Sequence, residues 1–464
     1  MLLILLNLQL ISCKKNKMNF QLTQDLINEI ENLIDVKNKL ALIKKCEKLL
    51  APDVAEIIEA LNFNDAKYLF NVLGDELKAD VLIDLEEDLR ERLLESFSSK
   101  EIVEDVIDNL DSDDAADVIQ EFSKEKQEEV LSKIVDRQQA SDLVDLLSYE
   151  ENSAGALMAK ELINVREDWS ILRCVTEMRK QAQDVNNVYT IYVVNKNLEL
   201  IGTVSLKTLL LAPEKTFISD IYNKQVISVP ANTSGEEVAR IMNKYDLIVL
   251  PVVNEKNELI GRITIDDVVD FIKEEAEKDY QMASGISDNI EPVDNVFTLT
   301  KARIPWLLIG MIGGLLGAQI IGLFQIEENP VLAFFIPLIA AMGGNVGVQS
   351  SAIIVQALAA KNLGLDNWAK RFIKEFSVAL INGLICCIIL FIICTLLYPE
   401  PKLPITVCLS LLTVMIFAAL FGTFVPLILN KYNIDPALAT GPFITTMNDV
   451  IGLFIYFSIA ELIL

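Results

Sequence analysis

The last third of the chain sets the strongest condition on any fold. Five stretches, 304–324, roughly 331–360, 376–398, 404–429 and 436–464, are each apolar for long enough to cross a hydrocarbon core of about 30 Å. The second is overlong and is interrupted by the polar run GGNVGVQSS, from Gly343 to Ser351. Five spans put the two termini on opposite sides of a bilayer. Lys301 and Arg303 precede the first span, and Lys361, Lys370, Arg371 and Lys374 lie between the second and third, whereas the loops on the other side hold only Lys402. The excess of basic residues on one side places the N-terminal region in the cytoplasm and Leu464 outside a plasma (inner) membrane.

The rest of the chain has a different composition. Residues 304–464 carry eight acidic and six basic side chains of the chain's 66 and 40, which leaves a net charge of −24 on residues 1–303. Such a surface repels nucleic acid and anionic headgroups and attracts cations. With no histidine in the chain and no Cys-x-x-Cys pair, soft-metal sites are poorly supplied, while oxygen ligands for Mg²⁺ or Ca²⁺ abound. The same poverty argues against an enzyme: there is no phosphate loop, no nucleophile elbow and no histidine base. Residues 1–17 form a doubtful extension, apolar but with Lys14, Lys15 and Lys17 after the apolar run, so a start at Met18 is expected.

Residues 18–150 read as short amphipathic helices in a repeat. Pro52 to Leu85 aligns without a gap, at an offset of 61, with Asp113 to Leu146, pairing Ala55 with Ala116, Ile58 with Ile119, Leu69 with Val130 and Leu82 with Leu143. That pattern predicts an α-helical solenoid. From 151 to 271 the pattern changes to paired β-branched runs and helices. VYTIYVVNKNLELIGTVSLKTLL and LIVLPVVNEKNELIGRITIDDVV are two copies of one strand–turn–strand–helix unit. This α/β unit resembles a tandem pair of CBS domains. The resemblance implies a nucleotide such as ATP at Thr264 and Asp267, a Thr followed three residues later by Asp; the first copy has Ser205 and Thr208 there. The other reading is that Thr264 or Asp266 caps the next helix.

That helix is expected from about Asp266 to Met282 and leads a connecting segment over 272–303. Asp267, Asp270, Glu274 and Glu277 fall on one face, where repulsion between like charges would be relieved by a cation. In the membrane part, Asp449 is the one ionisable side chain deep in an expected span, on the order of 20 Å beyond Pro436 at 1.5 Å per residue. A carboxylate there marks an ion pathway by default. Gly441, Thr445, Asp449 and Gly452 share a helical face with Asn448 adjacent, and Gly343, Gly344 and Gly347 around Asn345 permit close backbone approach or local unwinding. Pro337, Pro426 and Pro442 would free further carbonyls. One carboxylate with amide, hydroxyl and carbonyl oxygens suits a hydrated Mg²⁺. Helix packing through the glycines, without a pore, is the structural alternative.

GGNVGVQSSAIIVQALA and DPALATGPFITTMNDVIGLFIYFSIA, together with the order of parts and Pro305-Trp306-Leu307, resemble the MgtE family of Mg²⁺ channels. The resemblance implies a helical N domain, tandem CBS domains, a connecting "plug" helix and a five-helix all-α transmembrane domain. It further implies a homodimer with its pore on the two-fold axis, Asp449 as pore carboxylate, and a gate closed by cytoplasmic Mg²⁺. Glu274 and Glu275 match the acidic pair of the connecting helix. An ion-coupled carrier for Mg²⁺ or Co²⁺, and a nucleotide sensor on a membrane anchor, are the competing readings.

Overall fold

The computed structural model describes residues 20–183, 185, 187–287, 290, 295–324, 329–359, 368–439 and 441–464. The expected extension over 1–17 lies outside them. The chain divides into two compact units, Met1–Lys273 and Glu274–Leu464.

The first unit opens with the solenoid. Helices Ala51–Glu59 and Phe63–Val72 recur 61 residues later as Ser112–Gln120 and Lys124–Lys133, and Asp75–Asp84 recurs as Arg137–Leu146. All eight matched apolar positions, from Ala55 and Ala116 to Leu82 and Leu143, are buried. Each helix is too short to be stable alone and gains its stability from the face it packs on its neighbours. Polar side chains start the helices: Asn62 accepts from Asp65 N at 3.2 Å, and Ser98 and Glu101 form a reciprocal capping box.

The repeated α/β unit forms two three-stranded sheets. In each, a first strand runs parallel to the second, and a hairpin returns the third: β1 (Asn164–Arg166), β2 (Ile191–Val194) and β3 (Leu200–Val204), then β4 (Val229–Pro230), β5 (Val249–Val253) and β6 (Leu259–Thr264). The registers correspond, with Val193 opposite Gly202 and Val252 opposite Gly261, and a bulge follows both valines. Asn195 and Asn254 each fold their side chain over the hairpin turn, accepting from backbone N–H two and four residues on.

Among the described residues of the second unit, five helices are long and apolar enough to cross a membrane: Val296–Leu323, Ile336–Ala359, Trp368–Leu397, Lys402–Lys431 and Pro442–Ile463. Their ends differ from the sequence expectation in informative ways. The first starts eight residues early, capped by Asn295, whose side chain accepts from Phe297 N and Thr298 N. The connecting helix runs Ile265–Ala283, within a residue of the expected Asp266 to Met282 at either end. The second span is an unbroken helix through GGNVGVQSS; its glycines serve close approach, and no unwinding occurs. Pro337 and Pro442 stand in the first turn of their helices, where the missing N–H removes no bond, whereas Pro305 and Pro426 are interior. The fourth span is the central helix of the bundle, burying Ala418, Ala419, Gly422 and Thr423 among others. Thr406 and Thr423 satisfy their hydroxyls on carbonyls four residues back, as burial away from water requires.

Candidate functional site

The fifth span begins at Pro442, after a 3₁₀ turn over Pro436–Ala439. Asp449 is therefore seven residues into the helix, on the order of 10 Å from its start, half the depth expected from a span opening at Pro436. Gly441 lies outside the helix, at its N-cap with φ +51°. Only Thr445, Asp449 and Gly452 of the expected face are helical. Gly441 still contributes: its carbonyl accepts from both the N–H and the hydroxyl of Thr445 at 3.0 Å.

The glycines of the second span lie directly against this helix. A Cβ on Gly344 would stand 3.1 Å from Thr445 Cγ2 and 3.9 Å from Asp449 Oδ1, and one on Gly347 would stand 1.9 Å from Asn448 Nδ2. Asn448 is 1 % exposed, and among the described residues its amide nitrogen and oxygen have no hydrogen-bond partner. Asp449 itself is half-buried. Gly344, Thr445, Asn448 and Asp449 thus converge on one seam, whose chemistry is oxygen and amide in an apolar bundle. Asn345 and Gln349 are exposed and are not buried into it.

The soluble unit holds a second polar feature. Asp267 and Asp270, on the helix Ile265–Ala283, face carboxylates of the solenoid that lie more than 150 residues earlier. Burial, then the charges of Asp267, Asp117, Asp111 and Asp80, push Asp114 up to about 7. Burial, then Asp80, Asp270 and Glu59, push Asp84 up to about 6. Asp113 is raised well above the ordinary range by burial, Asp114 and Asp267. Burial also raises Asp267 and Asp111, with Arg262 nearby working in the opposite sense. All of these groups are oxygen donors suited to Mg²⁺, although among the described residues no three His, Cys, Asp or Glu side chains converge to hold an ion in this arrangement. Sequence reading missed Asp84, Asp111, Asp113 and Asp114. The available signal was their place in the repeat, at the start or end of helices whose other faces pack. Glu275 is met by Lys278 at 3.2 Å.

Thr264 and Asp267 bond to each other at the start of the helix Ile265–Ala283. Asp267 Oδ2 accepts from Thr264 N at 3.1 Å and from the Thr264 hydroxyl. Ser205 and Thr208 are bonded in the opposite sense, with Thr208 N donating to Ser205 Oγ at 3.1 Å. Asp267 thus accepts from both the backbone and the hydroxyl of Thr264.

Comparison with known proteins agrees with this order of parts. The family model described as MgtE intracellular N domain matches residues 49–152, that of the CBS domain 154–215 and 218–274, and that of MgtE, divalent cation transporter, 336–459. The chain is 37 % identical over 325 residues to the magnesium transporter MgtE of Thermus thermophilus, covering 69 % of this chain and 72 % of that protein. It is 31 % identical over 317 residues to the MgtE of Bacillus subtilis, covering 68 % and 70 %. The crystal structure of the soluble part of a magnesium transporter superposes with a TM-score of 0.50 at 25 % identity, over 55 % of this chain and 99 % of that one. A helical solenoid, a CBS pair and five apolar helices, matched in that order along a chain so similar to these relatives, make this protein a member of the MgtE family of divalent cation transporters.

Proposed function

We propose that this protein is a Mg²⁺ channel of the plasma membrane, working as a homodimer and closed by Mg²⁺ bound to its cytoplasmic acidic region. The carrying observation is the seam itself: the carboxylate of Asp449 against Gly344 and Thr445 inside an otherwise apolar bundle. Mg²⁺ sheds water reluctantly, so one carboxylate flanked by hydroxyl and backbone oxygens grips it through retained waters. The names of the relatives support Mg²⁺ as the ion carried. The basic residues before the first span and after the second support an N-terminal region in the cytoplasm and a C-terminus outside.

Two features support the gate. The soluble unit sets Asp267 and Asp270 against Asp84, Asp111, Asp113 and Asp114, a repulsion that Mg²⁺ would replace with ligation. In the second unit, the end of the connecting helix lies on the start of the fifth span: a Cβ on Gly441 would stand 2.3 Å from the Ala283 carbonyl oxygen, and one on Gly285 2.6 Å from Pro442 Cγ. A shift of that helix, which also carries Glu274 and Glu275, therefore reaches the helix that bears Asp449. ATP at Thr264 and Asp267 would act on the same helix, at its first turn.

Uptake of Mg²⁺ into vesicles tests the reading. Asp449→Ala abolishes flux in folded protein, and Asp449→Asn lowers it by about tenfold or more, the scale of one lost charge-assisted contact. Neutralising Glu274 and Glu275 leaves conduction intact and moves closure to higher Mg²⁺ on the cytoplasmic face. Wild-type flux in Asp449→Ala sinks the pore assignment. Flux that stops whenever a coupling gradient is removed would identify a carrier instead.

A further inference from the structure

The helix of the third span starts at Trp368, and Glu375 lies seven residues along it, directly after Lys370, Arg371 and Lys374. There the hydroxyl of Ser350, 3 % exposed, donates to Glu375 Oε1 at 2.5 Å. Ser350 belongs to the second span and lies six residues beyond Gly344, the glycine packed beside Asp449. Six residues of helix advance about 9 Å. Glu375 is half-buried, with Arg371 and Lys374 within one turn before it on the same helix. A carboxylate drawn in among spanning helices marks an ion pathway by default.

We propose that Glu375 is a second cation station of the transport path, on the cytoplasmic side of Asp449, and that Ser350 positions it. This rests on Asp449 lying in the path. A lone fixed carboxylate would hold a divalent ion too firmly to release it; a second anionic oxygen in series lowers the step out of the first. With Oε1 committed to Ser350, the other oxygen meets the ion singly, through its retained water, as Mg²⁺ prefers. The same bond keeps the second and third spans in register at the level where the ion leaves.

The test is Mg²⁺ uptake by full-length protein in vesicles, comparing E375Q, S350A and D449A after normalising to folded protein. E375Q keeps an oxygen for Ser350 but drops the charge; S350A keeps the charge but frees the side chain. The station requires that E375Q lower maximal flux by about tenfold or more and that S350A lower it less. A mere tether between helices predicts the reverse order, and that result overturns the proposal. Loss of flux in D449A together with wild-type flux in E375Q overturns the second station and spares the pore, whereas wild-type flux in D449A overturns both. Where E375Q does not fold, E375D serves, since it keeps the charge but withdraws from Ser350: flux within about threefold of wild type is expected, and a loss as deep as in D449A overturns the idea.

Discussion

The seam around Asp449 depends on glycines whose Cβ atoms would meet something that cannot move aside. At Gly422 of the fourth span, a Cβ would lie 2.3 Å from the Gly347 carbonyl oxygen and 3.0 Å from its carbon, both backbone. At Gly317 of the first span it would meet only Leu453 Cδ1, at 3.4 Å. Both are helical, so alanine offers each the same gain in helix propensity, about 1 kcal/mol. The difference between the two variants therefore isolates packing. Gly422→Ala is expected to cost about 1–3 kcal/mol of overpacking and to lower Mg²⁺ flux by forcing apart the helices that hold Gly344 against Asp449. Gly317→Ala should fold and conduct as wild type. Equal thermal stability and flux for the two would mean that the close crossing is not what places the carboxylate.

Among elements, the starts of the two helices that follow the CBS hairpins can be compared. Ser205→Ala removes one cap and should cost about 1 kcal/mol. Asp267→Ala removes the bonds to Thr264, but it also relieves repulsion with Asp113 and Asp114. At pH 8, where Asp114, pushed up to about 7, is charged, it should therefore cost less than Ser205→Ala; at pH 5, where Asp114 is largely protonated, the costs should converge. Thermal unfolding of the full protein at both pH values checks this, and a larger cost for Asp267→Ala at pH 8 would mean that the acidic neighbours are not close enough to matter.

Across the whole molecule, the acidic excess should appear as linked proton and Mg²⁺ effects. Asp114 at about 7 and Asp84 at about 6 lie above the unfolded value near 3.9, so the folded unit binds more protons in that window. Their contribution is fully present below about pH 4 and is lost as pH rises through 6 to 7. Without divalent ions, residues 20–273 of the full protein should resist limited proteolysis better at pH 5 than at pH 8. At pH 8, millimolar Mg²⁺ should restore resistance and NaCl of equal ionic strength should not; at pH 5 the Mg²⁺ effect should shrink. Equal protection by NaCl would reduce the effect to screening, over about 8 Å at physiological salt.

Much of this was legible in the chain because it is written locally. An apolar run long enough for a bilayer, a repeat at 61 residues with its buried positions, and two hairpin units with their Asn turns each follow from spacing alone, and each appears in the fold as read. Asp449 stood out because a carboxylate in an apolar run is costly wherever the run folds. Tertiary structure decided what depends on partners far away in sequence. Asp113 and Asp114 met Asp267 only once solenoid and CBS pair had packed. The polar break of the second span stayed helical because Gly343, Gly344 and Gly347 found a helix to pack against, and a segment cannot announce its neighbour. Glu375 sat at the rim of its apolar run, and its depth was settled by where the helix began and by the hydroxyl that Ser350 brought to it from another span.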